Sequence, residues 1–216
     1  MSDKLQMEEG TLLRAGRRSF LTSGLALAPL AFFGAITNTE AAVTAPRGRQ
    51  QKQLFREIQA HENDHVAFLV MVLGADARPK PTFRNLVQRK YIDFVLVSQD
   101  LENTGVGAYL GAAPVLNSTD YLAAAGSIMT VEARHAGTIN YLLKGPVTTN
   151  NESFDKPLTP EQVVAAAGSF IADLNGGPEV GYSQTPSDAN DIDILNFALA
   201  LEYLEAEFYN VNDKFY

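Results

Sequence analysis

The sequence predicts an all-α fold, a four-helix bundle. Three observations carry that prediction. Four stretches place apolar residues at the i, i+3, i+4 spacing of a helix face. Each of those stretches also carries an acidic residue on its apolar stripe. The polar residues repeat in pairs: Glu62-Asn63-Asp64-His65 and Glu132-Ala133-Arg134-His135 on two stretches, Glu102 with Tyr109 and Glu202 with Tyr209, seven residues apart, on the other two.

Residues 1–45 are expected to lie outside the fold. Gly16-Arg17-Arg18-Ser19-Phe20-Leu21 is a twin-arginine pattern, and the apolar stretch from Phe20 to Ile36 is broken by Gly24, Pro29 and Gly34. It is too short and interrupted for a membrane span. Small residues near Thr39-Glu40-Ala41 offer a cleavage point, so the segment reads as a signal for the Tat export machinery. The expected location is periplasmic or extracellular, with residues 46–216 as the folded domain. A net charge of −8 argues against nucleic acid as a partner. The absence of cysteine excludes a disulfide frame or a thiolate metal cluster.

The first helix is predicted from Arg49 to Leu73, with Leu54, Ile58, Glu62, His65 and Leu69 on one stripe and Gly74 as its C′ residue. The second runs from Tyr91 to Leu110, with Ile92, Val95, Ser98, Glu102, Gly105 and Tyr109 in line. Gly105 and Gly107 there suggest close approach of a neighbouring helix. The third spans Asp120 to Leu143, capped by Ser118, Thr119 or Asp120, with Ala125, Met129, Glu132, His135, Ile139 and Leu142 on its face. The fourth runs from Asp191 to near Asn210, with Leu195, Ala198, Glu202, Glu205 and Tyr209 inward. Two connections are long. Residues 74–88 contain Pro79 and Pro81, which keep them extended. Residues 145–190 are rich in Pro, Gly and Asn and hold a short helix: Thr159-Pro160-Glu161-Gln162 is a capping-box start, continued by Val163 to Leu174 and stopped by Gly176-Gly177.

A Glu-x-x-His pair sets a carboxylate and an imidazole one turn apart on one helix face. The chain has 13 Glu and three His in 216 residues, so two of three His at this offset by chance is on the order of 1%. Two such helices plus one Glu from each of two others supply four carboxylates and two imidazoles, the inventory of a dinuclear metal site. Unpaired ionised acids on apolar stripes would cost several kcal/mol or more, and two divalent cations would neutralise them. Oxygen and imidazole ligands suit Fe or Mn, with Zn as a third choice. The expected ligands are Glu62, His65, Glu102, Glu132, His135 and Glu202, with Glu102 and Glu202 terminal or bridging. Glu205, Tyr109 and Tyr209 form an expected surrounding layer, although Glu205, like Glu207, could as well be solvated. His61 is expected on the surface.

These residues resemble the bacterial ferritin-like domain family that also includes plant desiccation-related proteins. The stretch Leu195-Asn196-Phe197-Ala198-Leu199-Ala200-Leu201-Glu202-Tyr203-Leu204-Glu205-Ala206-Glu207-Phe208-Tyr209 is similar to that family's first helix. His65-Val66-Ala67-Phe68-Leu69 is similar to its second, Gly105 to Pro114 to its third and following loop, and Val131-Glu132-Ala133-Arg134-His135-Ala136-Gly137 to its fourth. The resemblance therefore implies a ferritin-like four-helix bundle in circularly permuted order, with two long crossover connections. A 23-residue helix is about 35 Å long, a distance that about a dozen extended residues cover, so both connections reach. A terminal helix that completes a site can also be exchanged between chains; in a homodimer, Glu202 would then come from the neighbouring subunit. The resemblance implies an exported di-iron or di-manganese protein with oxidase, peroxidase or catalase-like activity and a redox partner of unidentified class. The alternative is a non-catalytic stress or desiccation protein whose bundle is a scaffold, because fold does not imply function. An iron-storage cage fits less well with two long crossovers and an exported chain.

Overall fold

The computed structural model describes residues 48–215; the twin-arginine string, the apolar stretch and the cleavage region fall outside the described residues. The described helices are α1 (Arg49–Leu73), α2 (Tyr91–Ala112), α3 (Thr119–Leu142), α4 (Pro160–Ala167) and α5 (Asp188–Asn212). Two short strands, β1 (Thr82–Phe83) and β2 (Ile171–Asp173), pair antiparallel. The chain is mostly helical. Among the described residues no helix is long and apolar enough to cross a membrane.

Local chemistry marks the helix ends. Gly74 closes α1 at φ 56°, its N–H donating to Val70 O, a left-handed backbone that glycine adopts without a Cβ clash. Ser118 caps α3, its hydroxyl accepting from Tyr121 N, and Ser187 caps α5, accepting from Asn190 N. That cap starts α5 three residues earlier than the periodicity predicts.

The helices divide by burial. In α1 the buried residues are Phe55, Ile58, Glu62, His65, Leu69 and Leu73, one stripe at helical spacing. Phe55, rather than the expected Leu54, points inward; in α3 Ile128, rather than Met129, does so. Helices α2 and α5 are covered on nearly every side. From Ile194 to Ala206 every residue except Tyr203 is buried.

Helix α1 packs mainly on α5, and α2 on α3. Arg56 pairs with Asp213 at 3.2 Å, while Gln59 and Asn63 each donate to Asn210. Rising numbers on α1 meet falling numbers on α5, so the pair is antiparallel. The same holds for α2 and α3, where Gln99 donates to Asn140 at 2.8 Å and Glu102 lies beside His135. One apolar cluster gathers Phe55, Phe94, Phe208 and Tyr209; another gathers Leu69, Leu73, Tyr109, Leu195 and Leu199. On α1 Glu62 falls between the residues of these two clusters, and on α2 and α5 Glu102 and Glu202 follow Leu101 and Leu201 of the first.

The crossovers are tied to α5. The Arg78 N–H donates to Asn196 Oδ1 at 2.7 Å, and its guanidinium donates to Pro178 O at 2.8 Å. Asn212 accepts from Gln88 N and donates to Leu86 O. The second crossover departs from expectation. The capping box at Thr159 and Gln162 forms, but α4 stops at Ala167. A 3-10 turn over Gly168–Phe170 follows, and residues 171–173 become β2. Their backbone bonds to Thr82 and Phe83 instead of continuing a helix, so pairing with a distant segment overrides local helix propensity.

Of the small residues of α2, Gly105 faces neighbouring helices as expected, through Glu132 and Glu205, but Gly107 does not. Gly107 and Gly111 admit the crossover, not a neighbouring helix. Leu158 N donates to Gly107 O at 2.9 Å, and a Cβ at Gly111 would run into the Leu158 carbonyl oxygen.

Candidate metal centre

Helix periodicity turns Glu62, His65, Glu132 and His135 inward, since each Glu-x-x-His pair lies on the buried stripe of an otherwise amphipathic helix. Glu62, Glu102, Glu132 and Glu202 are fully buried, and His65 and His135 nearly so. All six expected ligands come together. Ligand atoms of Glu62, Glu102, Glu132 and His135 lie within 4.8 Å of one another, and so do those of Glu62, His65, Glu132 and Glu202. Glu62 and Glu132 belong to both groups.

The arrangement is twofold in character. His65 Nδ1 lies 3.2 Å from Glu62 Oε2, 3.1 Å from Glu132 Oε1 and 3.2 Å from Glu202 Oε2. His135 Nδ1 lies 3.0 Å from Glu62 Oε1 and 3.1 Å from Glu102 Oε2. The tyrosines cross over: Tyr109 OH donates to Glu202 Oε1 at 2.5 Å, and Tyr209 OH donates to Glu102 Oε1 at 2.6 Å. Each single-Glu helix thus supplies the phenol that steadies the other's carboxylate.

Burial sets the protonation. It pushes Glu62 up to about 7, helped by the charge of Glu102. Glu132 and Glu205 are held well above the usual carboxylate range, first by burial and then by the surrounding carboxylates. Burial pulls His65 and His135 down, but hydrogen bonds to Glu202 and Glu62, and to Glu102 and Glu62, override it; His65 rises to about 10 and His135 to about 9. Burial, then the charges and hydrogen bonds of Glu202 and Glu102, holds the Tyr109 and Tyr209 hydroxyls protonated.

The residues present could hold metal ions. Five buried carboxylate oxygens, on Glu62, Glu132, Glu202 and Glu205, receive no well-aligned hydrogen bond, and three of them share the Nδ1 atoms of His65 and His135 at 3.0–3.2 Å. A buried polar atom left so costs about 1–3 kcal/mol. A single imidazole N–H cannot serve the three carboxylates around His65 Nδ1, whereas a cation among them would meet every oxygen. An all-oxygen and imidazole donor set suits Fe or Mn.

Glu207 and His61 differ from expectation, while Glu205 takes one of its two expected places, in the layer around the ligands. Glu205 is 3% exposed and so not solvated, whereas Glu207 is half-buried and pairs with Lys80. Glu205 occupies space that Gly105 leaves open: a Cβ there would lie 3.4 Å from Glu205 Oε1 and 3.0 Å from Glu132 Oε2. His61 is the second difference. It is half-buried rather than on the surface, and its Nδ1 lies 2.9 Å from His135 Nε2. Its position four residues before His65 was the available signal, because i and i+4 share a helix face.

A family model for the ferritin-like domain matches residues 25–145 and 190–213, more than half of the chain. The unmatched stretch between them is the second crossover. No curated protein and no solved structure matches the chain.

Proposed function

Because the chain belongs to the ferritin-like domain family, we propose that it is an exported protein binding a dinuclear Fe or Mn centre and reacting with peroxide or dioxygen. The observation that carries this is the overlap of two ligand groups at Glu62 and Glu132. His65 and Glu202 would hold one ion, His135 and Glu102 the other. Glu62 and Glu132, common to both groups, would serve both ions.

Two such ions, when bound, supply the electron transfer of an oxidase, peroxidase or catalase-like reaction. The chain's own residues do the rest. Tyr109 and Tyr209 fix the carboxylates of Glu202 and Glu102, each by donating to one oxygen. Burial excludes bulk water and strengthens each charge interaction. Glu205, held protonated by burial, places a proton beside Glu132 and Glu202. Zn would fit the same donors without supplying redox chemistry.

The architecture belongs to this proposal. The antiparallel pairs α1/α5 and α2/α3 support a four-helix bundle. The end of α5 lies beside the first turns of α1 through Arg56 and Asp213; a short loop there would restore the uninterrupted order, which supports circular permutation. The twin-arginine string supports Tat export to the periplasm or beyond, and a centre loaded before transport suits that route.

Metal analysis of protein from a native-like host tests the central claim. About two equivalents of Fe or Mn are expected, and a Glu62→Ala/Glu132→Ala double variant should hold almost none. Near-zero Fe, Mn and Zn in the wild type would overturn it. A second reading, a stress- or desiccation-related scaffold, draws on the two Tyr–Glu bonds, which satisfy part of the polar layer without metal. Thermal stability unchanged by metal would favour it; the five poorly satisfied carboxylate oxygens weigh against it.

A further inference from the structure

We infer that His61 is a positioning residue for one of the two metal positions alone, the one built on His135, and that the two positions are therefore inequivalent. The inference rests on the dinuclear reading above.

His135 Nδ1 faces Glu62 and Glu102, so it is the nitrogen available to a cation there. A nitrogen that coordinates must carry its lone pair, which leaves the ring proton on Nε2. That Nε2 lies 2.9 Å from His61 Nδ1. The rings are inclined by 10° with centroids 5.2 Å apart. This is close to one N···N hydrogen-bond length plus two imidazole radii, so the rings lie edge to edge in nearly one plane. In that geometry Nε2–H of His135 donates straight to the Nδ1 lone pair of His61. His61 then carries its own proton on Nε2, and its half-buried position leaves that N–H within reach of solvent. The bond locks the tautomer of His135, aims its ring and raises its basicity.

The other half lacks this device. The position four residues before His135, matching His61 before His65, is Val131, which cannot accept a hydrogen bond. Among the described residues no hydrogen bond reaches His65 Nε2. The H-E-x-x-H spacing of residues 61–65 is shared with helical zinc proteases, where both imidazoles bind one ion. Here neither ligand group includes His61, and Glu62 belongs to both. His61 therefore acts on the centre through His135.

The test titrates metal-free protein with Co(II) without oxygen, by calorimetry and by the visible bands of bound Co(II). Wild type should bind two equivalents. In H61A one equivalent should weaken about 10–100-fold and one set of Co(II) bands should shift, while the other equivalent stays. H61N sets an amide oxygen where Nδ1 stood and should restore most of the loss. Thermal unfolding of each metal-free variant shows that it is folded. Two equivalents in H61A bound as in wild type overturn the inference while leaving the dinuclear reading intact. So does equal weakening of both, or loss in H61N matching that in H61A. Wild type that binds no Co(II), Fe(II) or Mn(II) overturns the dinuclear reading and this inference together.

Discussion

Glu132 keeps both carboxylate oxygens in the interior without a well-aligned hydrogen bond, its Oε1 competing with Glu62 and Glu202 for one His65 Nδ1, a condition that lowers the stability of any metal-free chain. Replacing it by an apolar residue of similar reach removes two poorly satisfied atoms and one member of a crowded acidic group. Glu132→Leu should therefore stabilise the metal-free protein by about 1–3 kcal/mol while abolishing tight metal binding. Denaturant unfolding and metal titration of the same variant check both halves; destabilisation without metal would show that the carboxyl group is satisfied in the folded chain. The tyrosines make a finer prediction. Tyr109→Phe leaves Glu202 Oε1 without its donor and Tyr209→Phe does the same to Glu102. Each should weaken binding about 10–100-fold at one position, without loss of the helical circular dichroism signal.

At the scale of elements, the second crossover lies directly against α2. The segment before α4 bonds to Gly107 O and presses on Gly111. Because the obstacle is backbone rather than a flexible side chain, Gly111→Ala cannot be relieved by a rotamer change. It should cost about 1–3 kcal/mol, read as a lower thermal midpoint. A wild-type midpoint would mean that the crossover does not hold this position in solution. This contact was not legible in the glycines themselves. Small residues on a helix announce that something approaches; only the path of residues 145–190 shows that it is a loop. The overextended α4 has the same origin, since helix propensity past Ala167 is local whereas the pairing of Ile171–Asp173 with Thr82–Phe83 is not.

For the whole molecule, the protonation of the centre sets the pH response of the metal-free protein. Glu62 titrates near 7 rather than 4.5, His135 near 9 and His65 near 10 rather than 6.5. All three bind protons more tightly folded than unfolded. The part due to Glu62 is fully present below about pH 4.5 and is lost as pH rises through 7. The parts due to the histidines are fully present below about 6.5 and are lost through 9 and 10. The thermal midpoint of the metal-free protein should fall between pH 5 and 10. Metal displaces these protons and binds more tightly as pH rises, so saturating Mn(II) should reduce or reverse the fall. A flat metal-free profile would contradict the assigned contacts. The permutation is testable at the same scale. A rearranged chain in which residues 187–215 precede residue 48 through a short linker should retain two metal equivalents; loss of both with helices intact would count against the permuted reading.

The four long helices, most of their inward faces and the six residues of the centre could be read from the chain, because helix periodicity and the i, i+3 offset of Glu-x-x-His are relations among near neighbours. Which carboxylates lie in both ligand groups could not, because that depends on where four separate helices meet. Glu205 beside Gly105, His61 against His135 and the crossed Tyr–Glu bonds are likewise contacts between segments 74 to 107 residues apart for the hydrogen-bonded pairs and about as distant for Glu205 and Gly105. No local spacing encodes them; they exist because the antiparallel helices bring acidic layers of four segments to one level.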